Sequence, residues 1–215
     1  MKGGESIRTL FMDIGGVLLS DGWNHRARKR AAKKFRLEPV EMETRHQTTF
    51  DTYEEGKLTE DEYLDHVVFF RPRSFDRAEF RRFMFAQSTP YPEMLALIRR
   101  LKTKYGLKIV AVSNEARVLN DYRIQKFKLD NIVDAYISSC YVHLRKPDAD
   151  IFRLALDVAH TPAQQVAYVE NTSLFVEIAT GLGIRTVLHT DYRSTCARLS
   201  SFGLHSGEEL VHEAS

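Results

Sequence analysis

Cysteine is scarce: only Cys140 and Cys196 occur in 215 residues, and they lack the close spacing of a metal clip. The chain therefore needs neither a disulfide framework nor a cysteine-held metal to fold, and two packed thiols in a reducing, cytoplasmic setting are expected. Long apolar runs are missing as well. No stretch approaches the roughly 20 apolar residues that span a bilayer, and Met1 to Arg8 carries charges and a glycine pair instead of the apolar core of a signal peptide. A protein with no membrane partner follows as the expectation. Neither charge sign dominates, since 31 Lys+Arg against 29 Asp+Glu leave a formal +2. That balance is too near neutral to recruit a polyanion, and no nucleic-acid partner is expected. Internal repeats and low-complexity segments are also absent, which excludes a solenoid. The tail from Ser206 on lacks clear punctuation and is expected to fray.

What remains is enough chain for one large domain, or for a core with a modest insertion. Ile7 to Met12 is a short apolar run that ends on Asp13 and a glycine pair, the pattern of a buried strand emptying into a tight loop. Lys108 to Val112, ending on Ser113-Asn114, and Val166 to Val169, ending on Glu170-Asn171, repeat it. Ala135 to Ser138 and Thr186 to Leu188 are further strands, with helical patterns at 93–104, 115–127, 149–159 and 174–180. Strands alternating with helices predict a Rossmann-like parallel sheet with helices on both faces. In such sheets ligands bind at the carboxyl ends of the strands, where three of these runs place polar residues.

Residues 20–89 break this rhythm. They carry helical patterns at 24–35, 40–54, 59–70 and 76–86 with turn signals between them and no strand. The reading is an α/β core domain of residues 1–19 and 90–215, with an inserted all-helical cap domain of residues 20–89.

Asp13 stands at a strand end beside Gly15 and Gly16, whose backbone permits the close approach of an anion. A carboxylate so placed can act as a nucleophile and form an acyl-phosphate, or it can simply cap a turn. Ser113 and Asn114 follow the second strand where a helix is expected to begin, so a hydroxyl and helix amides face the same crevice, although Ser113 also suits an N-cap. Lys146, before Pro147, can neutralise a phosphoryl oxygen and the Asp13 carboxylate, or it can be a solvated lysine. Glu170 and Asn171 could complete an oxygen-lined Mg²⁺ site with Asp13 and the Gly15 carbonyl, or lie in a solvated loop.

This order of motifs, Asp13-Ile14-Gly15-Gly16-Val17-Leu18, the helical insertion, Ser113, Lys146-Pro147 and an acidic strand end, resembles the haloacid dehalogenase-like hydrolase superfamily. The likeness covers essentially the whole chain. The opening hexapeptide and Tyr53-Glu54-Glu55-Gly56-Lys57-Leu58-Thr59 resemble the branch that includes bacterial phosphatases of α-glucose 1-phosphate. The resemblance implies Asp13 as nucleophile and metal ligand, and Lys146 as the charge-balancing catalytic residue that also binds phosphate. Gly16, Ser113 and Asn114 would hold the phosphoryl group, and Gly15, Glu170 and Asn171 would complete the Mg²⁺ site. It implies a Mg²⁺-dependent phosphatase of a small phosphorylated metabolite, such as a sugar phosphate.

Two positions depart from the family pattern. Gly15 stands where most such phosphatases carry a second aspartate as general acid, and Asn171 replaces a carboxylate in the last motif. A weakened phosphatase, an inactive member kept for binding, and a metal-independent 2-haloacid dehalogenase therefore remain alternatives. The basic run from Arg26 to Arg36 reads as a solvated helix face. His25, His46, His66 and His143 lack metal-ligand spacing and read as surface or packing residues.

Overall fold

The computed structural model describes residues 5–207, so residues 208–215 of the tail expected to fray, and residues 1–4, lie outside the described residues. Apolar runs with no polar face favour strands covered on both sides, and β1 (Thr9–Met12) is buried along its whole length. It pairs in parallel with β2 (Lys108–Ser113) on one side and β4 (Val166–Glu170) on the other. The outer strands β3 (Ala135–Ser138) and β5 (Arg185–Leu188) complete a parallel sheet of order β3-β2-β1-β4-β5. The chain runs outward from β1 in one direction through β2 and β3, then returns to its other side for β4 and β5. That reversal beside β1 opens a crevice at the carboxyl ends of β1, β2 and β4.

Strand alternation separates two apolar layers. Leu10 and Met12 point to the face covered by α5 (Pro92–Tyr105) and α10 (Tyr192–Ser201), with α6 (Arg117–Phe127) packed at its edge. Phe11 points to the opposite face, covered by α8 (Ala149–Ala159) and α9 (Ser173–Gly181). The short α7 (Ser139–Val142) follows β3 directly. The sequence reading contained neither α7 nor α10. It also began α6 too early: helix starts at Arg117, and Asn114 to Ala116 form a loop.

Between β1 and α5 stand four helices: α1 (His25–Phe35), α2 (Pro39–Glu54), α3 (Glu60–Val67) and α4 (Arg77–Phe85). Their starts are fixed by side-chain caps that satisfy free N–H groups, Asn24 for α1, a Thr59–Glu62 capping box for α3 and Asp76 for α4. Trp23, Ala31, Phe35, Tyr63, Leu64, Phe80 and Met84 form a core of their own, which Ala116 and Leu119 join from the α/β layer. Arg28 departs from the solvated-face reading of its helix. It is buried, donates to the Trp23 carbonyl and forks onto Glu43 at 2.7 and 2.8 Å.

The two connections to the insertion run side by side. Ser20 N–H donates to the Thr89 carbonyl (2.8 Å) and Tyr91 N–H to the Leu18 carbonyl (2.9 Å). A second anchor is the turn after α2, where Gly56 (φ +69°) leaves no room for a side chain: a Cβ there would lie 2.4 Å from the Cys140 carbonyl oxygen. Ser139 Oγ donates to the Glu54 carbonyl (2.7 Å), and Arg145 pairs with Asp51 and Glu54 (2.6 and 2.8 Å). Cys140 and Cys196 are buried and neither is in a disulfide.

Candidate active site

The loop after β1 carries Asp13 into the crevice with 8% of its surface exposed. Its Oδ1 accepts a hydrogen bond from Ser113 Oγ at 2.6 Å and another from Lys146 Nζ at 3.0 Å. Ser113 Oγ in turn accepts from the Ile14 N–H at 2.9 Å, so its proton is committed to Asp13 and it locks the carboxylate's rotamer. Ser113 is fully buried and does not line the cavity. In this arrangement it orients the carboxylate.

Lys146, 1% exposed, donates to Asp13, to Tyr168 Oη (3.1 Å) and to Glu170 Oε2 (2.6 Å), which uses all three ammonium protons. Asn114 clamps its backbone from both sides, Nδ2 onto the Lys146 carbonyl and Oδ1 under the Lys146 N–H, each at 2.8 Å. Burial pulls the ammonium toward neutrality, but Asp13 and Glu170 outweigh it and hold the lysine above its usual pKa. For Asp13 the balance goes the other way: burial pushes the carboxyl up to about 6 against the attraction of Lys146.

Glu170 differs from the expectation of a metal ligand. Oε1 accepts from the Asn171 and Thr172 N–H groups, both at 2.9 Å, while Oε2 accepts from Lys146 and the Tyr168 hydroxyl. With its acceptor sites filled and no exposed surface, it anchors the lysine. Gly16 also differs. Its φ of +77° and the Asn171 side chain, whose Nδ2 would lie 2.2 Å from a Cβ, favour glycine here, yet its N–H is spent on the Leu19 carbonyl at 2.7 Å.

Above Asp13 opens a cavity of about 350 Å³. Of the residues expected at the site, Asp13, Gly15, Asn114, Lys146 and Asn171 line it, whereas Ser113 and Glu170 stand behind the surface and the half-buried Gly16 lines a neighbouring cavity that Asn171 also borders. The wall is mixed: Trp23, Phe50, Tyr53 and Met84 from the insertion and Leu119 and Phe175 from the core are apolar, while Asn24, Gln47 and Thr172 add polar groups. Glu115 was not foreseen. It is 5% exposed, lines the cavity and pairs with the buried Arg123. Burial raises its carboxyl to about 7. Eight residues separate the pair, so no helical spacing signals it; an acidic residue after Ser113-Asn114 was the only cue.

For Mg²⁺ the donor set fits in part. Asp13, Gly15 and Asn171 border one cavity, and a hard cation that keeps several waters needs few protein oxygens. Glu170 is engaged by four hydrogen bonds in this arrangement. Among the described residues no group of three or more His, Cys, Asp or Glu side chains could hold a metal. No described helix is long and apolar enough to cross a membrane.

A family model described as haloacid dehalogenase-like hydrolase matches residues 7–173. Among curated proteins, drimenol cyclase drtB of Aspergillus calidoustus is 27% identical over 190 residues, which is 85% of this chain. The chain spans about a third (34%) of that relative's length. A haloacid dehalogenase family enzyme of Bacteroides thetaiotaomicron, solved with magnesium and inorganic phosphate, superposes with a TM-score of 0.73 at 18% identity, covering 96% of this chain and 98% of that one. The L-2-haloacid dehalogenase of Xanthobacter autotrophicus, with chloropropionic acid covalently bound, gives 0.62 at 18% identity over 97% and 92%. At such identities these likenesses concern the fold.

Proposed function

The chain belongs to the haloacid dehalogenase-like hydrolase family, and from that premise we propose that it is a phosphatase of a small phosphorylated metabolite, working through an aspartyl-phosphate on Asp13. The observation that carries the reading is the floor of the cavity, where Ser113 and Lys146 both hold Oδ1 of one buried carboxylate. A carboxylate fixed by its Oδ1 presents Oδ2 to an incoming phosphorus in a single orientation, and alignment of this kind is a large part of any rate enhancement. Residues 20–89 act as the cap over a core of residues 1–19 and 90–215, excluding water while the phosphoryl group transfers.

Charge favours a cation at this floor. Asp13 and Glu170 against Lys146 leave one net negative charge when all three are ionised, which repels a phosphate dianion, and the nearby Arg28 and Arg145 are already paired. Asp13, Gly15 and Asn171 would hold Mg²⁺, which when bound neutralises phosphoryl oxygens and polarises phosphorus. Lys146 balances the Asp13 charge throughout, and Glu170 and Tyr168 keep it in place.

The wall offers both kinds of contact to a substrate body: Trp23, Phe50, Tyr53 and Phe175 can pack on alkyl or aryl carbon, and Asn24, Gln47 and Thr172 can bond hydroxyl groups. The test is a phosphatase screen over alkyl, aryl and sugar phosphates, with Mg²⁺ and with chelator, in wild type and Asp13→Asn. Hydrolysis that requires Mg²⁺ and vanishes in Asp13→Asn is expected. Undiminished turnover in Asp13→Asn would remove the nucleophile assignment, and a 2-haloacid converted in chelator would move the reading to dehalogenation.

A further inference from the structure

Transfer of a phosphoryl group from an alkyl ester leaves an alkoxide, which needs a proton as the P–O bond breaks. Lys146 has its three protons committed to Asp13, Tyr168 and Glu170, and Ser113 has its proton committed to Asp13. The neutral His46 is buried in the insertion, with Nδ1 bonded to Tyr63 Oη at 2.9 Å. Three carboxyl groups besides Asp13 line the cavity: Asp21, Glu54 and Glu115. Asp21 is exposed and its Oδ1 lies over Gly16, 2.8 Å from the place of a Cβ. Glu54, like Glu115, is held by an arginine, Arg145, but it belongs to the ties between insertion and core and is not among the atoms nearest the place of a Gly15 Cβ. Glu115 alone sits on the Asp13 loop from within the core, its Oε1 3.8 Å from the place a Gly15 Cβ would occupy.

We propose that Glu115 is the general acid and base of this site, delivered from the loop after β2. The inference rests on the phosphatase reading. Arg123 takes Glu115 Oε1 and is itself fixed by Ser88 Oγ (3.0 Å) and the Ser20 carbonyl (3.1 Å), so the carboxyl cannot swing away. No hydrogen bond among the described residues uses Oε2, which is left for the cavity. Its burial agrees with the role, because it keeps the protonated form populated near neutrality.

In the first step an Asp13 carboxylate oxygen bonds to phosphorus, the ester P–O bond breaks, and the proton of Glu115 passes to the departing oxygen to give the alcohol. In the second, water adds to phosphorus and gives a proton to the Glu115 carboxylate. The Asp13–phosphorus bond then breaks, and inorganic phosphate leaves with both carboxyl groups restored. The small space at Gly15 belongs to the same arrangement, since the nearest atoms to a Cβ there are Asp21 Cα at 3.6 Å, Arg123 Nη1 at 3.7 Å and Glu115 Oε1.

The test is Glu115→Gln assayed on an alkyl phosphate and on p-nitrophenyl phosphate, whose phenolate leaves without help. Glutamine keeps an oxygen for Arg123 at nearly the same volume. Alkyl ester turnover should fall by about 10²- to 10⁴-fold, and aryl ester turnover at least tenfold less than that. Gly15→Asp, placed in the Glu115→Gln background, should recover part of the alkyl activity by supplying a carboxyl at the same spot. Equal losses on both esters, or none, overturn the proposal, as does a leaving-group-dependent loss in Asp21→Asn but not in Glu115→Gln. If Glu115→Gln does not fold, the wild type decides across a series of esters. A shallow dependence of kcat/KM on leaving-group acidity supports the acid, and a steep one overturns it. Failure of the wild type to hydrolyse any ester is a separate result that removes the phosphatase reading and this inference together.

Discussion

Asp13 sits at the meeting of burial, which disfavours its charge, and Lys146, which favours it, and burial prevails. In metal-free protein the Asp13 carboxyl should therefore titrate near pH 6, about two units above an ordinary aspartate. Below that midpoint it is protonated, so the nucleophile proposed above would be lost as pH falls through 6. Infrared difference spectra of wild type minus Asp13→Asn, taken in chelator, would show the band, and Mg²⁺ should move its midpoint downward. A midpoint near 4 would mean that Lys146 governs instead. Asn171 gives a second prediction. Asn171→Asp adds an anionic oxygen to the cavity that Asp13 and Gly15 border, so the half-saturating Mg²⁺ concentration should fall about tenfold or more. Calorimetric titration reads this directly, and an unchanged value places Asn171 outside the metal shell.

At the scale of elements, the insertion carries a directional hydrogen-bond chain from Trp23 Nε1 to Tyr63 Oη (2.8 Å) and on to His46 Nδ1 (2.9 Å). Tyr63 receives from Trp23, which leaves its own proton to donate to Nδ1 of a neutral His46. Burial lowers the His46 pKa to about 3 from 6.5, with the Arg28 charge adding to the effect. Between pH 6.5 and 3 the unfolded chain binds a proton at this residue that the folded chain refuses. Stability is therefore lost as pH falls through that window, by at most about 1.4 kcal/mol per pH unit. Urea unfolding at pH 7 and 5 should show a smaller drop in His46→Gln, which accepts without titrating; equal drops would assign the acid sensitivity elsewhere.

Elements were legible in the sequence where pattern and punctuation agree. The apolar strands ending in Asp13, Ser113 and Glu170, and the strand-free stretch with Thr59 and Asp76 ahead of helical runs, declare themselves locally. α10 was not legible because its ten residues include two threonine or serine pairs and little apolar periodicity; the N-cap Asp191 was its one signal. The candidate residues were legible as types but not as directions. Whether Glu170 turns to a cation or to Lys146 depends on Tyr168, two residues earlier on β4, and on two loop N–H groups. The Glu115–Arg123 pair exists only because Asn114 to Ala116 stay out of the helix, which the tertiary contacts with Ser139 and Ser88 decide.

For the whole molecule, what matters is how firmly the insertion is seated. Gly56 and Gly106 have similar positive φ angles, +69° and +63°, but nothing lies within 4 Å of a Cβ at Gly106, whereas the Cys140 backbone blocks one at Gly56. Gly106→Ala should cost only the backbone strain, about 1–3 kcal/mol. Gly56→Ala should cost more and also lower kcat, because the α2–α3 turn must lift off α7. Melting temperatures and kcat of both variants test this, and equal losses of both would show that the turn is not a seat.

That turn, Arg145 on Asp51 and Glu54, and the paired connections at Ser20 and Thr89 tie the insertion down beside the cavity. Under the proposed phosphatase reading, an insertion tied at three places would make product release, and not bond breaking, the slow event of each cycle. Rapid mixing should reveal this as a burst of alcohol equivalent to the enzyme sites, followed by a slower steady rate that added viscogen slows further.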